Sequence, residues 1–313
     1  MAAFAALAAG VLLLAWASDQ FVVGAARIAT IRGISPLVIG VVIIGFGTSS
    51  PELIVSSLAA LRGEQAIAVG NVVGSNLANL GLILGIGVVI YPLAVRSETV
   101  RREAPLTLAA AGLFAVLVQG GIGVLEGTIL MAAMVAVLGV VVRRRPSDPL
   151  GPAAAELTLP QELRIGVEVA RTAAGLAGTL GAAQLLLWGA LELAADAGLS
   201  EGFVGATIVA VGTSLPELVT VVQSARRRQG DLVLGNLLGS NIFNALMVGG
   251  LAGILGDGSL DAPRLTGLAA AAMLVQGTVV WLMMRTGRRI SRLEGTLLLA
   301  AYACLVPFLA GSA

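Results

Sequence analysis

"GFGTSSPELIV", Gly45 to Val55, lies inside an apolar stretch and is nearly repeated by "AVGTSLPELVT", Ala210 to Thr220. Each copy sets a proline beside a glutamate among aliphatic residues. Proline has no N–H for the carbonyl four residues back, here Gly47 or Gly212, so a helix passing through must break. A carboxylate at the centre of a hydrocarbon layer costs about 2.5–3.5 kcal/mol even on the lenient insertion scale. Proline in the first turn with an acid beside it suits a helix N-terminus. That accounts for the local structure but not for a helix starting in mid-hydrocarbon.

The surroundings of the two motifs are those of a membrane protein. Of 313 residues, 57% are hydrophobic and 12% charged, where a soluble domain carries about 25% charged residues. The mean hydropathy is +0.96. Apolar runs of the length that crosses about 30 Å of hydrocarbon recur from end to end. Windows bounded by charge or turn signals predict ten spans, over 3–29, 34–61, 66–91, 103–119, 124–142, 166–195, 200–225, 231–255, 265–285 and 291–310. The first run carries no basic segment before it and reads as a spanning helix rather than a cleaved signal. The single Cys304 excludes a disulfide framework within one chain.

The second half repeats the first. An offset of 165 carries Gly47-Thr48-Ser49 onto Gly212-Thr213-Ser214, Pro51-Glu52-Leu53 onto Pro216-Glu217-Leu218, and "GNVVGSNLAN" (Gly70–Asn79) onto "GNLLGSNIFN" (Gly235–Asn244). From Gly45 to Asn79, 35 positions align without a gap and 14 are identical. Two motifs on one offset mark an internal duplication. The expected organisation is a five-helix repeat over 1–142, a Pro- and charge-rich linker over 143–163, and a second five-helix repeat over 164–313. The linker is too short for a regulatory domain.

Every basic side chain is an arginine, and ten spans put 17 of the 19 on one membrane side and only Arg62 and Arg264 on the other. The positive-inside rule makes the rich side cytoplasmic, with the linker there and both termini outside. Because five is odd, the second repeat enters the membrane from the opposite side, which is the inverted layout of secondary transporters. The fold expected is an all-α polytopic membrane protein, with ten transmembrane helices in two inverted repeats and broken helices at the midplane.

The same residues define a candidate site. Glu52 and Glu217 are the two acids well inside strong apolar spans. Thr48, Ser49, Thr213 and Ser214 add hydroxyls beside them, and irregular backbone at membrane depth is tolerated where it lines a cavity. Ser75 and Asn79 are four residues apart, as are Ser240 and Asn244, which puts each pair on one helical face. Asn76 and Asn241 read as capping or interhelix bonds, and Gly74 and Gly239 as points of close helix approach. Asp19 reads as water-facing or in helix contact, and Glu126, Glu168, Glu192 and Glu294 as interfacial. The site is all oxygen, without His, Cys or a basic side chain. That suits a hard cation such as Ca²⁺, which takes about 6–8 oxygens, and not a soft metal or an anion. The chain has no nucleotide fingerprint and no hydrolase triad, so neither ATP-driven pumping nor enzyme activity is expected.

"GTSSPE" with "GNVVGSNLAN", repeated as "GTSLPE" with "GNLLGSNIFN", closely resembles the two alpha-repeats of the sodium/calcium exchanger family, within the calcium/cation antiporter superfamily. The motifs cover about 35 residues in each half. The resemblance implies that Glu52 and Glu217 are the central carboxylates shared by Ca²⁺ and Na⁺. Thr48, Ser49, Ser75 and Asn79 would line the site from one half, and Thr213, Ser214, Ser240 and Asn244 from the other. It implies exchange of several Na⁺ for one Ca²⁺ by alternating access; the first and sixth spans, long and matched by symmetry, are the candidates for the moving gate. Some prokaryotic relatives and the potassium-dependent branch carry Asp where this chain has Asn244, a departure that leans towards potassium independence. The regulatory region of animal exchangers is missing, as in prokaryotic members. The expected partners are Ca²⁺, Na⁺ and the lipid bilayer, with no cofactor and no nucleic acid, in a monomer of a prokaryotic inner membrane. The alternatives are a H⁺/Ca²⁺ antiporter on the same fold and, from another class, a cation channel.

Overall fold

The computed structural model of the chain describes residues 2–32, 48–97, 99–143, 164–228 and 230–310. All of 144–163, the linker stretch, and 33–47, the first half of the second expected span with Gly45 and Gly47, lie outside them.

Among the described residues ten helices follow one another: α1 (Ala2–Ile31), α2 (Ser50–Leu61), α3 (Gln65–Ile90), α4 (Ala104–Leu117), α5 (Val124–Arg143), α6 (Ile165–Ala197), α7, α8 (Gly230–Leu255), α9 (Leu265–Gly287) and α10 (Arg292–Ala310). In α7, Glu201–Thr213 bends by 47° into Leu215–Arg226. Seven of these, α4 counted with the π-turn Thr99–Glu103 that leads into it, are long and apolar enough to cross a membrane by themselves, and the bent pair makes an eighth. The two others are the shorter apolar helices α2, of 12 residues, and α5. Nine of the ten expected spans match these helices to within a few residues, and of the other, 34–61, only the part from residue 48 on lies within the described residues. A two-residue antiparallel ladder, β1 (Leu93–Ala94) with β2 (Arg289–Ile290), ties the end of α3 to the start of α10.

The duplication is visible in the backbone. The 165 offset carries α2 onto Leu215–Arg226 and α3 onto α8, residue for residue. It even carries a one-turn π-helix, Asn79–Ile83 inside α3, onto another, Asn244–Val248 inside α8. Such turns hold an extra residue and recur at functional sites.

Outward faces are greasy. Leu12, Trp16, Val116, Leu125, Val135, Val275, Leu293 and Phe308 are all exposed, as hydrocarbon-facing side chains are. Polar side chains are instead collected inside, where Ser49, Glu52, Asn71, Ser75, Asn79, Thr213, Glu217 and Asn244 are fully buried.

Glycines set how closely these helices approach. α1 and α6 run antiparallel along their length. A Cβ at Gly10 would stand 2.7 Å from Leu186 N, and one at Gly189 2.7 Å from Leu7 N. At their shared end Glu168 is 4% exposed and pairs with Arg27 at 3.1 Å and Arg171 at 3.2 Å. The expected interfacial Glu168 is thus in the first turn of α6 but buried in protein, because α1 brings Arg27 against it. Asp19 is exposed and accepts from Gln20 Nε2 at 3.0 Å. Glu126 and Glu294 cap helix starts, accepting from Gly123 N at 3.0 Å and Ser291 N at 2.7 Å. Gly74 packs on α7, with Ala206 Cα 2.6 Å from where its Cβ would be. The segment related by the offset, which would face Gly239, lies outside the described residues.

Candidate functional site

Two broken-helix starts face each other at the centre of the bundle. α2 begins at Ser50 with Pro51 in its first turn, and the second part of α7 begins at Leu215 with Pro216. Ser49 and Ser214 precede these helices in the N-cap position, yet neither side chain caps its own helix. They cross over instead. Ser214 Oγ donates to Glu52 Oε1 at 2.9 Å, and Ser49 Oγ donates to Glu217 Oε1 at 3.4 Å. Each buried carboxylate therefore takes a hydroxyl from the opposite repeat.

The companion motifs complete the arrangement. Ser240 Oγ donates to Glu217 Oε1 at 3.3 Å and lies 3.3 Å from Thr48 Oγ1. Ser75 Oγ and Thr213 Oγ1 both donate to Asn71 Oδ1, at 3.4 and 3.0 Å. Asn79 Nδ2 donates to Asn241 Oδ1 at 2.9 Å, and Asn241 Nδ2 to Asn76 O at 3.4 Å. The π-turn that starts at Asn244 packs on α2, and the one that starts at Asn79 packs on the second part of α7. The crossing seen in the hydroxyls is thus repeated by the amides.

All ten expected site residues are brought to this region, nine of them buried and Thr48 partly so. Asn76 and Asn241 bond between helices as expected, Asn76 Nδ2 reaching Met273 Sδ at 3.4 Å. Asn71 and its counterpart Asn236 were not among the expected residues. Asn71 is the most connected side chain of the site, and Asn236 Oδ1 accepts from Thr48 at 3.4 Å. Both lie in the repeated motif four residues before Ser75 and Ser240, so the helical spacing that singled out Asn79 also reaches them on the other side.

The electrostatics favour a cation. Among the described residues neither carboxylate has an arginine partner. Glu52 Oε2, Glu217 Oε2, Asn79 Oδ1 and Asn244 Oδ1 are buried acceptors with no hydrogen-bond donor. Removing an ion from water costs several kcal/mol unless a counter-charge comes with it. Two carboxylates with hydroxyl and amide oxygens at hand form the donor set of a hard, oxygen-seeking cation. α1 and α6 lie across the break, with Val11 and Leu186 2.9 and 3.7 Å from where a Cβ on Gly212 would be.

Known proteins share this layout. The family model described as "Sodium/calcium exchanger protein" matches residues 2–143 and again 168–311. CaxA of Alkalimonas amylolytica is 38% identical over 94% of this chain and 94% of its own length. Sodium/calcium exchanger MaX1 of Methanosarcina acetivorans is 30% identical over 97% of each chain. The solved structure of the sodium-calcium exchanger NCX_Mj, soaked with Na⁺ and Sr²⁺, superposes with a TM-score of 0.67 at 28% identity, covering 98% of this chain and 99% of that one. With both halves matched by one family model and a relative aligned end to end, this all-α membrane protein belongs to the sodium/calcium exchanger family of cation antiporters.

Proposed function

We propose that the chain exchanges Na⁺ for Ca²⁺ by alternating access, with Glu52 and Glu217 as the shared central ligands. The observation that carries this reading is the crossed pair of buried carboxylates, each bonded by a hydroxyl of the other repeat and each keeping one oxygen without a donor. Two full negative charges balance one Ca²⁺, or Na⁺ ions in its place. Thr48, Ser49, Ser75, Asn79, Thr213, Ser214, Ser240 and Asn244 supply the neutral oxygens. Occupancy by one ion excludes the other because they compete for the same atoms. A filled site offsets the carboxylate charge and lets the protein change sides, with α1 and α6 moving over the break in α7. The names of MaX1 and NCX_Mj, both sodium/calcium exchangers, support Na⁺ as the counter-ion.

On this reading the repeats are 1–142 and 164–313, joined by a cytoplasmic linker over 143–163. Both termini are outside a prokaryotic inner membrane, and the monomer is the working unit. The arginine bias supports that orientation, with 17 of 19 on the linker side.

The test is flux in proteoliposomes. An outward Na⁺ gradient drives uptake of radioactive Ca²⁺ by the wild-type protein, and Glu52→Gln or Glu217→Gln abolishes it. Full exchange in both variants overturns the site. Uptake driven by a pH gradient in Na⁺-free buffer, with none driven by Na⁺, replaces Na⁺ by H⁺ as the counter-ion.

A further inference from the structure

Asn71 lies outside the proposed ligand set, yet its amide uses all four of its hydrogen-bonding positions. Nδ2 donates to Glu52 O at 3.3 Å and to Ser56 Oγ at 2.9 Å. Oδ1 accepts from Thr213 Oγ1 at 3.0 Å and from Ser75 Oγ at 3.4 Å. The two donor contacts fix which way the amide faces, since Ser56 spends its own proton on Ala68 O at 3.2 Å.

A hydroxyl that offers its lone pairs to a cation must aim its single proton elsewhere. Thr213 and Ser75 share two acceptors, Asn71 Oδ1 and Ala210 O, the latter at 3.2 and 3.5 Å, and Thr213 also lies within reach of the Glu52 carboxylate. Ala210 O already accepts from Ser214 N at 3.1 Å. A carbonyl oxygen has two lone pairs, so Ala210 O has room for one more donor. Without Asn71, two hydroxyl protons have one place on Ala210 O, and the one left over must turn into the site, in Thr213's case toward the Glu52 carboxylate that the cation would use.

Resting on the reading of the carboxylate pair as the cation site, we infer that Asn71 is a positioning residue. It takes the hydroxyl protons of Thr213 and Ser75 so that their lone pairs face the transported cation. Asn236 does the same for Thr48 in the other repeat, at 3.4 Å. Asn236 is held less firmly, because Val221 stands where the offset puts Ser56's counterpart and its Nδ2 has no partner among the described residues. Asn71 also joins the repeats, since its hydroxyl partners come from α3 and from α7.

The test is a double-mutant cycle on Ca²⁺ affinity, titrating the purified full-length protein with CaCl₂ in a calorimeter. Asn71→Leu and Thr213→Val each weaken Ca²⁺ binding about tenfold, the share of one hydrogen bond. The double variant is less than about threefold weaker than Thr213→Val alone, because Asn71 acts through that hydroxyl. A double variant near the hundredfold product, or an unchanged Asn71→Leu, overturns the inference, since a residue that merely staples α2 to α3 acts independently of Thr213. Glu52→Gln is the control. If it binds Ca²⁺ like the wild type, the site itself is wrong. If it loses binding while Asn71→Leu keeps it, only the positioning role is wrong. Should Asn71→Leu fail to fold, Asn236→Leu with Thr48→Val is the deciding cycle, and additivity there overturns the inference equally.

Discussion

Gly74→Ala is a one-carbon change that links helix packing to the site. α3 meets α7 through glycines on both sides. A Cβ on Gly74 would stand 2.6 Å from Ala206 C and Cα and nearer still to its O, and one on Gly205 2.7 Å from Ile67 O. The obstacle is backbone, so no rotamer relieves it. Ordinary contact starts at 3.4 Å, so α7 must retreat by about 0.8 Å or more. Overpacking of this kind costs about 1–3 kcal/mol, and the roughly 1 kcal/mol by which Ala outranks Gly in a helix offsets part of it. A net loss of up to about 2 kcal/mol follows, read as a lower melting temperature of the detergent-solubilised protein. Flux suffers more than stability. Ala206 is one turn before Ala210, so the retreat carries Thr213 with it and stretches its 3.0 Å bond to Asn71 to about 3.8 Å, beyond hydrogen-bond range. Na⁺-driven Ca²⁺ uptake should fall at least tenfold, while Gly112→Ala, whose Cβ meets nothing within 4 Å, leaves both readings at or above wild type. Wild-type melting and flux in Gly74→Ala would refute the packing argument.

Two further outcomes follow from the edges of the bundle. Glu168→Gln leaves Arg27 without its carboxylate at the α1–α6 contact, while Arg171 keeps Gln20 at 2.7 Å. Breaking a buried pair from one side costs about 3–5 kcal/mol, less here because Arg27 is partly exposed. Arg27→Gln added to Glu168→Gln should recover part of the loss in melting temperature, whereas strict additivity would remove the coupling. Glu64, in the turn between α2 and α3, has its carboxyl pushed up by burial, with Arg62 pulling it down and Glu201 pushing it up. A raised carboxyl favours the folded state when protonated, so its contribution is full below the unfolded value of about 4.3 and is lost as pH rises through the folded one. Glu64→Gln should therefore raise the melting temperature at neutral pH and lose that advantage near pH 4, and a gain that is flat with pH would contradict this.

Much of the fold was legible because the bilayer constrains it. Span lengths follow from burying backbone in hydrocarbon, and the 165 offset shows the duplication directly, so both were recoverable from residue types alone. The carboxylates were legible for the same reason, since acids at Glu52 and Glu217 have no place in apolar spans without a partner. The π-turns at Asn79 and Asn244 were not. An extra residue in a turn leaves no mark on hydrophobic periodicity when every neighbour is apolar. Asn71 stands in the repeated motif, but its place among the hydroxyl protons of Thr213 and Ser75 exists only once the packed helices bring them together. The α1–α6 pairing had an unread signal. Gly10 and Gly24 recur at the same offset as Gly175 and Gly189, and all four sit where one backbone meets the other.

The crossing of Ser49 to Glu217 and Ser214 to Glu52 bears on how occupancy and conformation are joined. Had each carboxylate been capped by the serine of its own helix start, each repeat would carry a finished half-site, and the repeats could shift without changing either one. Here each serine sits in its own N-cap position but serves the carboxylate of the other repeat. A relative displacement of the two broken helices therefore alters the donors of both carboxylates together. On the proposed reading, a cation bound between Glu52 and Glu217 resists that displacement with ligands from both sides, and an unneutralised pair of charges opposes the passage of the site through the closed bundle. Duplication with inversion supplies both requirements at once, because the same short motif, entering from opposite sides, meets its copy only at the centre.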